Sequence, residues 1–519
     1  MDHFLTLRLR RGIARLASIG TTGVVGLAMS LGATMSPATV LAVPNVPNRA
    51  PALPPQVACD RPVMPAGGHV FYMDPVRGSD SGDGSRAHPW RNFGALVSKR
   101  KLGERLRSSM RLPMLPDGAQ PGVFYREQAN PDGKVVGGDT ILLASGDYGE
   151  LVLNGIVNKR FMRIAAAPGA RPVFTRIVTA FSSHMILQGL VVRGPMGPKS
   201  TRVLVGAAPQ NEFMPDNLVY DHMDLGASAP IAGHDPQDWY DNAPNGVMMR
   251  GDCMTISNSR IHDVRTGVGI IRGRDDQVLN NRISGFSDDG IDFSGDRLRI
   301  RGNWITDHWN NNGALHPDCM QGQSSSWHWP YSGLTIDHNV CIDHTSERAV
   351  PDKEVMQGIS MFDGVWKNIV ITCNLVLPRA YHGIALYGMD NARIENNVVV
   401  GMDPKEPSWI MAFYSKEQKA PRGDVIRGNW ATGFPNADQG KAGTLAGLKT
   451  GELHMKDGGS ADELSVTMAN NTLAVWPGTK VSAHLDPKVK IVRIDGPAKP
   501  MSVPEALRRY PLPAACQKT

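Results

Sequence analysis

Short apolar runs with polar residues at alternate positions recur along the chain, and each ends in an Asn-bearing turn. They read Cys253-Met-Thr-Ile-Ser-Asn258, Gln277-Val-Leu-Asn-Asn281, Leu298-Arg-Ile-Arg-Gly-Asn303 and Leu334-Thr-Ile-Asp-His-Asn339, then Ile369-Val-Ile-Thr-Cys-Asn374, Ala392-Arg-Ile-Glu-Asn-Asn397 and Val425-Ile-Arg-Gly-Asn429. From Asn281 onward the Asn positions are 22, 36, 35, 23 and 32 residues apart. A base period near 22 with insertions describes a coil of constant girth carrying loops of variable length. A second register holds Gly-led strands: Gly246-Val-Met-Met, Gly267-Val-Gly-Ile-Ile, Gly290-Ile-Asp-Phe, Gly358-Ile-Ser-Met-Phe and Gly383-Ile-Ala-Leu-Tyr. Period-two alternation sends Ile291, Phe293, Ile359, Met361, Ile384 and Leu386 inward, and Asp292, Ser360, Phe362, Ala385 and Tyr387 outward. One coil cannot bury its own apolar face, so the coils must stack. The pattern predicts an all-β solenoid, a single-stranded parallel β-helix. Asn281, Asn303, Asn339, Asn374 and Asn397 should stack at one corner as a ladder of amides. A β-sandwich with Asn turns does not produce a period near 22.

The N-terminal part adds two motifs. Tyr72-Met-Asp-Pro-Val-Arg-Gly78-Ser-Asp80 is followed by His88-Pro-Trp90-Arg-Asn-Phe-Gly-Ala95, and Gly138-Asp139-Thr-Ile-Leu-Leu-Ala-Ser-Gly146-Asp-Tyr148 comes later. The first resembles the opening of pectate-lyase-like β-helix proteins: a first strand, a Gly-Ser-Asp turn, a Pro-Trp and a short capping helix. The second is similar to the first coil of those proteins. The resemblance runs from about Val70 to Asn436 and implies a right-handed helix with capping elements. It does not imply one reaction, because that superfamily holds polysaccharide lyases, hydrolases, epimerases, esterases and binding modules.

Composition fits many short strands, with 55 glycines, 6% aromatic and 20% charged residues. The boundaries expected are a signal peptide at 1–42, a Pro-rich linker at 43–66, the helix at 67–443 and terminal capping strands at 444–519. The signal is read from a basic start ending near Arg15, the apolar run Ile19 to Ala42 and the small-residue ending Val40-Leu41-Ala42. An uncleaved anchor is the alternative, though Gly20, Gly23, Gly26 and Gly32 dilute the run. A secreted or periplasmic monomer follows, with no membrane contact once the signal is removed. Arg8, Arg10, Arg11 and Arg15 against Asp2 give +3 of the net +6, which leaves +3 for the remainder, too little to argue for nucleic acid. None of the six cysteines forms a CxxC pair, so no zinc site is expected. Cys59 and Cys516 can staple the ends, whereas Cys253, Cys319, Cys341 and Cys373 are read as buried thiols.

Candidate chemistry falls between Asp288 and Tyr387, where outward positions are polar and insertions long. His316-Pro-Asp318-Cys-Met-Gln321 is the sharpest element. His316 suits proton transfer, Asp318 would orient it or a hydroxyl, and Gln321 would hold sugar hydroxyls. The structural alternative is a turn in which His316 and Asp318 satisfy loop backbone. His382 is the second candidate catalytic histidine. Asp289, Asp292, Gln357 and Tyr387 complete the expected row, with Asp292 stacked on Asp318 one coil later. Arg348 and Lys353, in the insert that also holds His344 and Glu347, can neutralise a uronate carboxylate. Trp327, His328, Trp329 and Tyr331 can stack on sugar rings or lie packed down on the helix. Asp288, Asp289 and Asp292 cap turns or hold calcium, which leaves Ca2+ open as a cofactor.

The P-loop, the paired-His metalloprotease helix and the GxSxG elbow are all absent. The Gly-His-Gly and Arg-Ile-Lys segments of polygalacturonases are absent too. The expectation is a secreted polysaccharide lyase acting on a uronate polymer by β-elimination. A glycoside hydrolase, a uronate epimerase and a carbohydrate-binding surface β-helix are the alternatives.

Overall fold

The computed structural model describes residues 59–63, 67–111, 123–197, 203–209, 213–231, 234–309, 316–324, 330–347, 355–403, 405, 407–415, 419–437 and 466–517. All lie in one compact unit, Val57–Thr519. The expected signal peptide and most of the Pro-rich linker fall outside the described residues.

Each coil gives one strand to each of three sheets in turn. Val268–Arg274, Gln277–Leu279 and Arg282–Phe286 belong to sheets of ten, sixteen and thirteen strands, and Ile291–Asp296 returns to the first. Pairing is parallel coil to coil, apart from a hairpin of Arg105–Arg111 with Val123–Ala129 and its short contact with the 156–157 region. The expected right-handed parallel β-helix is the fold. Ile291, Phe293, Ile359, Met361, Ile384 and Leu386 are fully buried in one continuous core, as the alternation requires.

The N-terminal motifs do what their resemblance implies. Val70–Met73 is the first strand and pairs with Thr140–Leu143. Trp90 is buried and donates from its indole to Gly82 O. Asn92 caps the short helix Phe93–Ser98.

The amide ladder is present and longer than expected. Each Asn donates from Nδ2 to Oδ1 of the next, from Asn281 through Asn303, Asn339, Asn374, Asn397 and Asn429 to Asn471, at 2.9–3.1 Å. The same Oδ1 also accepts the preceding backbone N–H. Ser259, not Asn258, holds the ladder position one coil earlier, where its N–H donates to Asn281 Oδ1. The leading glycines have a steric cause. A β-carbon on Gly267 would lie 2.3 Å from Gly290 O, and one on Gly358 would lie 1.9 Å from Gly383 O. Successive strands start too close together there for any larger residue.

Two expectations are corrected. All six cysteines form disulfides, Cys59–Cys253, Cys319–Cys341 and Cys373–Cys516, so the terminal pair do not join each other and the other four are not free thiols. Cys319–Cys341 braces two sheets inside the core of one coil. The coil also does not stop at residue 443. Val466–Ala469 and Thr472–Val475 extend two sheets, and Asn471 extends the ladder. The chain then turns back along the flank of the thirteen-stranded sheet. There Ala498, Met501, Val503, Ala506 and Tyr510 cover the outward side chains of Val340, Ile342, Leu375, Leu377, Val398 and Val400.

Asp424 gives a test of burial in the last coils. Its Oδ1 accepts Ala392 N–H at 2.8 Å, while the buried Oδ2 has no donor. Burial, aided by Asp390, pushes this carboxyl from 3.8 up to about 7. Between those values the native protein holds a proton that the unfolded chain has released, so stability falls as pH rises from about 4 to about 7. Asp424→Asn should flatten that decline, with urea midpoints at pH 5 and pH 8 closer together than in the wild type. Equal pH sensitivity in both proteins would contradict the assignment.

Candidate active site

The outer face of the ten-stranded sheet gathers most of the described candidates. The register places Asp292 beside Gln321, Gln321 beside Ser360, and Ser360 beside Ala385. Asp318 lies beside Gln357, so the expected stacking of Asp292 on Asp318 is corrected by three residues. The reason is the strand start. Asp318 is the first residue of Asp318–Gln323, and its N–H donates to Asp289 Oδ1 at 3.0 Å, which ties it to the turn before Ile291–Asp296.

Asp318 is fully buried and therefore lies beneath the face. It accepts from Gln321 Nε2 at 3.0 Å, and its Oδ1 is buried without a donor. Burial and the charges of Asp292 and Asp288 push its carboxyl well above the ordinary range, against hydrogen bonds from Ser360 and Gln321. Asp289 moves the same way, through burial and then Asp288, Asp318 and Asp292. Burial and the neighbouring carboxylates thus favour the protonated form of both carboxyls. Arg265 offsets Asp288 at 3.5 Å. The half-buried Asp292 is left as the most exposed carboxylate of the four. Asp288, Asp289 and Asp292, the carboxylates expected to cap turns or hold calcium, are not among the groups of described residues whose ligating atoms converge on a point.

The other end of the row is aromatic. His382 Nδ1 lies 3.2 Å from Gln357 Oε1, which also accepts from Ser360 Oγ at 3.1 Å. His382 Nε2 is 3.4 Å from Tyr387 Oη. Tyr381, Phe362 and Trp409 surround the imidazole, with ring centres 4.3, 4.8 and 5.4 Å away. Burial in this box, with a smaller contribution from the His316 charge, pushes His382 down to about 3, so the ring is neutral. The same burial pushes the Tyr387 hydroxyl up to about 12 and keeps it protonated. His316, by contrast, is exposed, yet near enough for its charge to act on His382.

His316, Asp318, Gln321, Gln357, His382, Tyr387, Asp289 and Asp292 are thus gathered on or just under one face. Arg348 and Lys353 lie outside the described residues, as do Trp327, His328 and Trp329. His344 is buried against Asp343 and does not project from its insert. The wall of Tyr381, Trp409, Met411 and Phe413 escaped the sequence reading. The strand Trp409–Phe413 lacks the leading glycine that marks the earlier coils, and that was the signal followed.

Residues 238–405 match the family model of the right handed beta helix region. No curated protein matches the chain. Among solved structures, the pectate lyase Pel9A is similar at 14% identity and a TM-score of 0.37, over 67% of this chain and 76% of that one. The A-module of the mannuronan C-5 epimerase AlgE4 from Azotobacter vinelandii aligns at 10% identity and a TM-score of 0.42, over 68% and 86%. The surface adhesin PfbA of Streptococcus pneumoniae aligns at 11% and 0.35, over 54% and 85%. The family model, the three stacked sheets and the amide ladder agree on the fold, a right-handed parallel β-helix.

Proposed function

We propose that the protein is a polysaccharide lyase acting on a uronate-containing chain laid along the outer face of the ten-stranded sheet. The observation that carries this reading is the exposed His316 beside a neutral His382 hydrogen-bonded to Tyr387. His316 takes the proton from carbon five of the uronate. The Gln321 amide, held from below by Asp318, donates to the sugar carboxylate and stabilises the charge that develops there. The protonated Tyr387 hydroxyl gives its proton to the leaving oxygen as the C4–O bond breaks and the C4–C5 double bond forms. The upward shift of the Asp289 and Asp318 carboxyls lessens the negative charge that would repel such a substrate. Three disulfides support an oxidising compartment, and hence export.

Asp292 next to carboxyls pushed well above the ordinary range favours a second reading, a glycoside hydrolase. Incubation with a panel of acidic and neutral polysaccharides separates the two. A lyase should generate ultraviolet absorbance in step with each new chain end. New reducing ends without absorbance would replace the lyase with a hydrolase, and binding without cleavage would replace both with a carbohydrate-binding module.

A further inference from the structure

A second cluster of ligating side chains lies away from the sheet face, in the turns that follow the thirteen-stranded sheet. Strand Trp304–Thr306 pairs with Val340–Ile342, with Thr306 opposite Ile342. The register carries on past the strand ends, where Asp307 N–H donates to Ile342 O. Two residues beyond the strands, His308 and His344 therefore fall at the same level of successive coils, with ring centres 5.2 Å apart. Asp343 stands between them. Its Oδ1 is 2.6 Å from His344 Nδ1 and 3.5 Å from His308 Nδ1. Its Oδ2 accepts Met356 N–H at 2.8 Å, which fixes the plane of the carboxylate. All three residues are buried, and one ligating atom from each lies within 4.8 Å of the others.

We propose that His308, Asp343 and His344 form a binding site for one divalent transition-metal ion, with zinc as the best match. The donor set decides the class of ion. Two imidazole nitrogens and one carboxylate oxygen suit zinc, cobalt or nickel, whereas calcium and magnesium prefer oxygen alone. Bonds of about 2.0–2.2 Å to a tetrahedral ion separate its ligands by about 3.4 Å, a separation within the 4.8 Å that encloses these atoms. The Met356 amide is the kind of outer hydrogen bond that orients a metal-bound carboxylate. The site would tie the ends of two consecutive strands of the thirteen-stranded sheet to one ion. The other group of this kind among the described residues, Cys59, Cys253 and Asp275, has its sulfurs engaged in a disulfide.

The competing account is a bare ion pair. Burial raises the Asp343 carboxyl, but the His308 charge and hydrogen bonds from both imidazoles hold it well below the ordinary range. Protein made without a histidine tag, dialysed against chelator and titrated with zinc or cobalt(II), tells the two apart. The site predicts one equivalent bound, visible cobalt absorption of low-symmetry nitrogen and oxygen ligation, and a rise in melting temperature with zinc. His344→Gln and His308→Ala should each weaken binding by at least ~10–100-fold. His382→Ala should leave binding unchanged. Wild-type protein that folds but binds no stoichiometric zinc or cobalt overturns the site and leaves the ion pair. Binding that survives in both His308 and His344 variants overturns it equally.

Discussion

His316→Ala is expected to lower turnover about 10²–10⁴-fold, the usual worth of a positioned proton-transfer group. The loss should fall on kcat, because one exposed imidazole on the sheet face adds little to the binding of a long chain. Stability should change by no more than about 0.5 kcal/mol, since an exposed side chain leaves no cavity behind. A purely structural role for the turn predicts the reverse, with activity per folded molecule kept and the melting temperature lowered. Tyr387→Phe is the companion variant. It removes the hydroxyl 3.4 Å from His382 and preserves the ring that packs on Phe362. Full activity in both variants, on a polymer that the wild type cleaves, would remove the proposed base and acid together.

Asn339→Ala should destabilise the protein by about 3–5 kcal/mol. Asn339 is fully buried. Its Oδ1 accepts both the backbone N–H and the side chain of Asn303, and its Nδ2 donates to Ile300 O, Asp337 O and Asn374 Oδ1. Truncation strands several of these groups without water, and each unmet buried group costs about 1–3 kcal/mol. Urea unfolding measures the loss, and a value below about 1 kcal/mol would show that neighbouring coils hold their register without the amides. Asn339→Ala and Asn374→Ala should also be non-additive, because the first change already removes a partner of the second.

The repeat made the fold legible. Inward and outward positions follow from alternation, and the ladder follows from Asn at a constant phase. Ser259 shows the limit, because the neighbouring Asn258 is the residue the Asn pattern points to, yet it is the Ser259 backbone N–H that donates to Asn281 Oδ1. The site was legible as a set of residues but not in its register. Asp318 opens its strand next to the Cys319 position of the glycine column, and no periodicity reveals that it pairs with Gln357. Its burial was also hidden, since alternation along a strand does not apply to the residue that turns into it. The aromatic box around His382 draws Trp409 from the next coil and Phe362 from the previous one, contacts between residues 27 and 20 positions away. Disulfide partners lie 194, 22 and 143 residues apart, so chain position alone did not suggest them.

The returning segment along the thirteen-stranded sheet sets an order of assembly. Coils stack on one another from either end, but the apolar flank formed by Val340, Ile342, Leu375, Leu377, Val398 and Val400 stays uncovered until residues 498–510 arrive. Those residues are synthesised after every strand they cover, and Cys516 locks them down by its bond to Cys373. A chain emerging through a membrane or a ribosome therefore passes through a stage in which a finished solenoid carries a sticky seam along one side. Truncation near residue 495 would make that stage permanent, and the product should associate through the seam even though every coil is complete.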